Sequence, residues 1–374
     1  MLDFIKEKLS VWDRLRQTDK PIVLYGMGNG ADKIIDWCEQ HKVQVSAVFA
    51  SDGFVRNQQF RGFTVCSYHD VLEKFGDNIL IVIAFASELP EVLARFQQLA
   101  SKHEVVAPHL PLFSETELVS SAWLRQYAEQ LQKVYGRLGD ELSRKVFAAA
   151  LNYKLSGDIK YLFDCESQRQ ADLRQLFTFT EQETYLDLGA YNGDTVQEFL
   201  QLVHGRYKQI VAVEPDRRNF KKLERLTKML PQGFAAVQKG IWQQPGEMWF
   251  SDSGGRQSTL LAAHKKQVPV DSVDHLGGGL DVSYIKMDVE GAEKEALAGG
   301  LQTIKRCRPK ILLAAYHYDN DLFQLPLILW EMVPEYKIYL RKHPYVPCWE
   351  LNYFAVCEKI KGQIMSRQDK KRQM

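Results

Sequence analysis

The sequence is poor in the features that mark several common protein classes. Its six cysteines, Cys38, Cys66, Cys165, Cys307, Cys348 and Cys357, are scattered through 374 residues with no Cys-x-x-Cys pair. In a chain of this length that pattern predicts reduced thiols, not a disulfide frame or a zinc site. No run approaches the roughly 20 apolar residues that span a bilayer, so no membrane insertion is expected. The opening residues, Met1-Leu-Asp-Phe-Ile-Lys-Glu-Lys8, alternate charge with apolar groups and lack the unbroken apolar core of a signal peptide. The expected location is cytoplasmic. Net charge is nearly absent too. With 48 Lys and Arg against 47 Asp and Glu, the chain carries +1 and has no general attraction for nucleic acid or acidic membrane. There is no solenoid-type repeat.

The remainder is the composition of an ordinary globular protein, 45% hydrophobic and 25% charged, long enough for two or three domains. Residues 1–19 read as a charged amphipathic helix. Strand and helix then alternate to about Phe113, which predicts a small open α/β unit over 1–113. Within it Gly26, Gly28 and Gly30 follow the strand Pro21–Tyr25, and Asp52 falls about where a ribose-binding acid would stand. The third glycine comes one position early for a dinucleotide fingerprint. These residues are therefore a candidate second nucleotide or nucleotide-sugar site, or a turn whose glycines serve helix–strand packing. Residues 114–180 have helical periodicity with sparse glycine and read as a connector. Tyr153, Tyr161, Phe163 and Phe177 are expected to pack there.

From Thr184 the α/β rhythm resumes, with strands expected at 185–188, 209–213, 234–238, 283–287 and 310–315. Helices are expected at about 195–203, 217–229 and 291–303. Tyr336–Arg341 and Leu351–Val356 read as strands with no helix between them, which predicts an antiparallel edge on a mostly parallel sheet. A polar, basic tail closes the chain over 361–374.

The informative stretch is Tyr185-Leu-Asp-Leu-Gly-Ala-Tyr-Asn-Gly-Asp-Thr195. A short buried strand breaks into a turn carrying Gly189 and Gly193, then into a helix with Val196, Phe199, Leu200 and Val203 on one face. Such turns bring backbone close to nucleotides in α/β proteins. The next strand ends at Val213 and delivers Glu214, placed to accept hydrogen bonds from ribose hydroxyls; capping the following helix is its alternative role, which Asp216 fills equally well. Tyr284-Ile-Lys-Met-Asp-Val-Glu-Gly-Ala-Glu293 then sets Asp288 at the carboxyl edge of a strand, with Glu290 and Glu293 near the start of a helix. Asp288, Glu290 and Glu293 would also suit a hard cation, but no further oxygen ligands are marked and no metal is assigned. The following strand delivers Tyr316-His317-Tyr318, and His317 is a candidate general base.

Tyr185–Thr195, Val213-Glu-Pro215, the Ile285–Glu293 run and Tyr316-His317 together closely resemble the FkbM-type methyltransferases, over about 184–357. The resemblance implies a class I, Rossmann-like domain over 181–360 that uses S-adenosylmethionine. It implies that Asp187, Gly189, Ala190, Tyr191, Gly193 and Thr195 line the methionine end of the cofactor. Glu214 and Pro215 would hold its ribose, Gly240 and Ile241 would face its adenine, and Asp288 would lie near sulfonium and acceptor. Members mostly methylate hydroxyls of sugars or of sugar-bearing and polyketide products, so the expected partner is a sugar or glycan acceptor. Tyr318-Asp-Asn320 departs from what often follows the Tyr-His pair, on the acceptor side. The amino-terminal unit resembles small nucleotide-binding-like domains on enzymes of sugar and surface-polysaccharide biosynthesis. That leaves a second reading, a nucleotide-sugar-binding scaffold or sensor.

Overall fold

The structure, a computed structural model, describes residues 2–113, 116–230, 233–250 and 266–357. The basic tail lies outside them. No helix among the described residues is long and apolar enough to cross a membrane. The chain forms two compact units. Met1–Asp172, Ala315–Phe323 and Leu340–Asn352 make the first; Leu173–Ala314, Gln324–Tyr339 and Tyr353–Met374 make the second.

In the first unit four parallel strands, β1 (Ile22–Tyr25), β2 (Val45–Phe49), β3 (Leu80–Ile83) and β4 (Glu104–Val106), lie in the order β2-β1-β3-β4. β1 and β3 are buried at every residue, as central parallel strands covered on both faces must be. Expected strands and helices match here to within a residue or two. The short β4 has no apolar run of its own and is not apparent from sequence. The connector contains helices Ser121–Gln126, Ala128–Arg137, Glu141–Ser156, Lys160–Phe163 and Arg169–Leu176. Tyr153 and Phe177 are buried in packing roles.

Residues 1–19 correct the expectation of one amphipathic helix. Only Val11–Gln17 is helical, capped by the Ser10 hydroxyl. The segment before it is held by a side chain from the helix Glu141–Ser156. The Asn152 Oδ1 accepts from the amides of Lys6 (2.7 Å) and Glu7 (3.0 Å), and its Nδ2 donates to the Phe4 carbonyl (2.9 Å). Phe4 meanwhile stacks on Tyr135 with ring centroids 4.1 Å apart. A tertiary hydrogen-bond partner outcompetes local helix propensity, which is weak in so short a charged segment.

The large sheet contains β5 (Thr184–Leu188), β6 (Gln209–Val213), β7 (Phe234–Val237), β8 (Tyr284–Met287), β9 (Lys310–Ala314), β10 (Lys337–Lys342) and β11 (Leu351–Val356). Their order is β10-β11-β9-β8-β5-β6-β7, and β9, β8, β5, β6 and β7 run parallel. From β5 the chain winds outward through β6 and β7, then returns to β8 on the other side of β5. That reversal opens a crevice beyond the carboxyl end of β5, where ligands bind in open α/β sheets. Tyr185 and Tyr284 are register partners stacked 4.5 Å apart, with Phe199 packed on both.

Two further elements escaped the sequence reading. Gly240–Ile241, Gly246–Phe250 and Lys266–Asp271 form a separate three-stranded sheet, and Asp321–Met332 is a helix despite Pro326. The helix expected over 291–303 is two, Glu293–Ala298 and Leu301–Cys307. At the break a Cβ on Gly299 would lie 2.4 Å from the Trp242 carbonyl oxygen, so backbone passes where a side chain would go.

Asn152→Leu leaves two amides and a carbonyl of the amino-terminal segment without this partner. It should lower the unfolding free energy by about 3 kcal/mol, read from urea denaturation midpoints.

Candidate functional site

The turn after β5 is fixed from three sides. Gly189 has φ +78°, and a Cβ there would sit 1.8 Å from the carbonyl oxygen of Asp288. No residue with a side chain fits. The Asp288 amide donates back to the Leu188 carbonyl (3.0 Å), so the ends of β5 and β8 are joined backbone to backbone. On the other side the amides of Gly189 and Ala190 both donate to the Val213 carbonyl, at 3.0 and 2.9 Å. Gly193, at φ +89°, closes the turn with its amide on the Ala190 carbonyl (2.8 Å) and opens the helix Asp194–Leu202. A Cβ on Gly193 would meet the Leu226 side chain at 2.4 Å.

Glu214 leaves β6 beside this turn. Its Oε2 accepts from the Tyr191 amide (2.9 Å) and its Oε1 from the Asp216 amide (2.9 Å). The helix Arg217–Leu226 is capped by Asp216, which accepts from the amides of Arg218 and Asn219. Capping is thus assigned to Asp216, and Glu214 is left as a buried carboxyl at the mouth of the crevice. Burial pushes its pKa up to about 7, although the amides of Asp216 and Tyr191 oppose the shift. A buried carboxyl with that proton affinity is an acceptor site prepared for further donors, which suits the vicinal hydroxyls of a ribose. Pro215, half-buried, follows it.

Asp187 lies inside the sheet, fully buried, with Thr195 Oγ1 donating to its Oδ2 (2.5 Å) and Lys286 Nζ 3.6 Å from its Oδ1. Burial raises its pKa, and the Lys286 cation and the Thr195 hydroxyl act against that rise. Asp288 is half-buried at the end of β8. The turn beyond it, with Glu290 at φ +54° and Gly291 at φ +92°, is closed by buried Glu293, whose Oε1 accepts from the Val289 amide (2.8 Å). Gly240 and Ile241 are both buried in the three-stranded sheet, paired with Val270 and Asp271. The second unit therefore gathers Asp187, the 189–195 turn, Glu214 and Asp288 around one strand end.

His317 follows β9 and belongs to the first unit, where it is buried and faces the Phe113 ring (centroids 6.3 Å apart, 29° between planes). The segment carrying it is anchored by residues no motif marks. Asp319 is buried and accepts from Lys154 Nζ (2.5 Å), His109 Nε2 (2.8 Å) and the Val119 amide (2.8 Å). These partners hold its carboxyl well below the usual range despite burial, while burial lowers the pKa of His109. Asn320 Oδ1 accepts from Trp123 Nε1 (3.0 Å). The unusual Asp319-Asn320 pair thus matches partners over a hundred residues away, in the amino-terminal half of the chain. No local pattern announces that.

At the first glycine turn, a Cβ on Gly26 would meet the Phe85 ring at 2.5 Å and one on Gly30 the Ala84 carbonyl oxygen at 2.3 Å. Close packing accounts for both glycines. Gly28 starts the helix Asn29–Gln40, and Asp52 is exposed in a single 3-10 turn, Asp52–Phe54.

Residues 187–347 match the family model described as the Methyltransferase FkbM domain. A crystal structure of methyltransferase FkbM from Methylobacillus flagellatus KT is similar over 94% of this chain and 94% of its own, at TM-score 0.69 and 18% identity. Precorrin-6y C5,15-methyltransferase from Geobacter metallireducens GS-15 aligns with 51% of this chain and 86% of its own (TM-score 0.33, 15% identity). Aeropyrum pernix fibrillarin, in complex with natively bound S-adenosyl-L-methionine, aligns with 50% of this chain and 73% of its own (TM-score 0.32, 14% identity). No curated protein matches in sequence. The switch-point turn and the acid after the neighbouring strand fall within the same residues, 187–347, that match the FkbM methyltransferase domain model.

Proposed function

We propose that the protein transfers a methyl group from S-adenosylmethionine to a hydroxyl of a sugar, glycan or glycosylated metabolite. The observation that carries the cofactor side is Glu214, a buried carboxyl bonded to the Tyr191 amide of the glycine turn, at the reversal point of the sheet. On this reading Asp187, Gly189, Ala190, Tyr191, Gly193 and Thr195 form the seat of the methionine end, Glu214 and Pro215 that of the ribose, and Gly240-Ile241 that of the adenine. Residues 181–360 are the methyltransferase domain, 1–113 a Rossmann-like domain whose Gly26, Gly28, Gly30 and Asp52 are the candidate second nucleotide site, with helix–strand packing as the alternative role of its glycines, and 114–180 the connector.

Bound S-adenosylmethionine supplies an already activated methyl group, so the residues of the chain have two tasks, alignment and proton removal. Alignment contributes several kcal/mol, and a positioned base about 10²–10⁴-fold in rate. A sugar hydroxyl is a weak acid; His317 is the first candidate to take its proton, with Asp288 either orienting the acceptor or serving as the base itself.

Calorimetry with S-adenosylmethionine and S-adenosylhomocysteine tests the reading. The wild type should bind both, and Glu214→Ala should weaken binding about 30-fold through loss of charge-assisted hydrogen bonds. Absence of binding would leave the alternative, a nucleotide-sugar-binding scaffold, to be tested at Gly26–Gly30. The raised Glu214 pKa gives a second expectation. Ribose donors favour the carboxylate, so cofactor affinity should be about tenfold lower at pH 6 than at pH 8, and Glu214→Gln should flatten that dependence. For the empty protein the sign is opposite. The raised pKa of this group favours the fold at low pH, and that contribution is lost as pH rises from about 4.5 to about 7. His317→Ala should keep cofactor affinity and lose at least about 100-fold in turnover on a nucleotide-sugar or oligosaccharide acceptor panel.

A further inference from the structure

Two buried charges face each other across neighbouring central strands of the large sheet. Lys286 lies in β8, only 5% exposed, between the fully buried Ile285 and Met287. Its register partner on β5 is Asp187, at 0%. Removing an ion from water costs several kcal/mol even when it is paired, and apolar residues fill such strand positions without that cost. The contacts of the pair show what the charges hold. Lys286 Nζ donates to the Gly189 carbonyl at 2.6 Å and lies 3.6 Å from Asp187 Oδ1. Asp187 Oδ2 accepts from Thr195 Oγ1 at 2.5 Å. Gly189 is the first residue of the glycine turn, and Thr195 lies in the first turn of the helix after it. The ion pair grips the turn at both ends.

We propose that Lys286 and Asp187 form a brace beneath the glycine turn, and that Lys286 is a positioning residue for the methionine end of the cofactor. The inference rests on the reading of this turn as the cofactor seat. Position 189 must be glycine because the Asp288 carbonyl leaves no room for a Cβ. Glycine has the least intrinsic preference for any one backbone orientation. The requirement that selects glycine therefore leaves the 189–190 peptide dependent on partners outside the turn. Val213 holds its amide, and the Lys286 ammonium holds its carbonyl, drawing it toward the sheet. The opposite face of that peptide then directs the Ala190 amide to Val213, and the next amide, of Tyr191, to Glu214. In this way the brace sets both the methionine side of the turn and its link to the ribose acid. Asp187 acts from below through Thr195.

The test uses the full-length protein and two ligands that differ only at the methionine end, S-adenosylhomocysteine and 5′-methylthioadenosine. Lys286→Met keeps most of the length of the side chain and removes its charge. It should weaken S-adenosylhomocysteine binding about 30-fold while changing 5′-methylthioadenosine binding less than about threefold. Lys286→Arg should recover part of the loss. Equal weakening of both ligands, or an unchanged affinity for S-adenosylhomocysteine, would overturn the proposal. Should Lys286→Met fail to fold, Thr195→Val tests the other end of the brace: a loss of several-fold for S-adenosylhomocysteine alone supports it, and no selective loss overturns it. A wild-type protein that binds neither ligand overturns the cofactor reading itself, and is distinguished by that from a failure of the brace.

Discussion

The structure of the second unit depends on one close approach, that of Gly189 to the carbonyl of Asp288. Backbone occupies the place of a side chain, so the ends of two neighbouring parallel strands are fused into a single rim. Val213 joins the same rim from the third strand by accepting two amides. Three strand ends are thus tied backbone to backbone at the point where the strand order reverses. Glu214 and Asp288, the acids proposed for ribose and acceptor, leave that rim directly. Main-chain bonds, with the Lys286 side chain at the Gly189 carbonyl, set where their backbones stand. Preorganisation of this kind is what a reaction dominated by alignment requires.

Charge is buried in both units, at Arg341 and Asp172 for example, and two of the buried groups of charges lie next to candidate functional segments. Lys286 and Asp187 sit below the glycine turn, and Asp319, Lys154 and His109 sit behind the segment that carries His317. A buried ion pair is a poor source of net stability, because desolvation offsets most of the Coulombic gain. It is a good source of geometric definition, since each donor and acceptor must find its one partner.

Much of this architecture was legible in the sequence. The glycine turn, Glu214 and the Asp288–Glu293 run could be read because each combines a strand period with a residue type that strand ends rarely carry by chance. The large sheet and its β10–β11 edge were likewise readable from apolar runs. What escaped has physical reasons. β4 is only three residues long, and the three-stranded sheet pairs segments that are separated in sequence. The amino-terminal segment follows Asn152, a partner no local rule identifies. Lys286 did leave a signal, a single charge within the buried run of β8, but its meaning required Asp187 across the strand pair. Asp319 and Asn320 appeared only as a departure from the family pattern, and their partners His109, Lys154 and Trp123 explain that departure.

The central claim is that the turn after β5 seats S-adenosylmethionine, and a crystal structure of the protein grown with S-adenosylhomocysteine addresses it most directly. The account predicts ribose hydroxyls within hydrogen-bond distance of the Glu214 carboxylate and the methionine end lying over residues 189–195. Density for the ligand away from Glu214, at the Gly26–Gly30 turn for example, would contradict it.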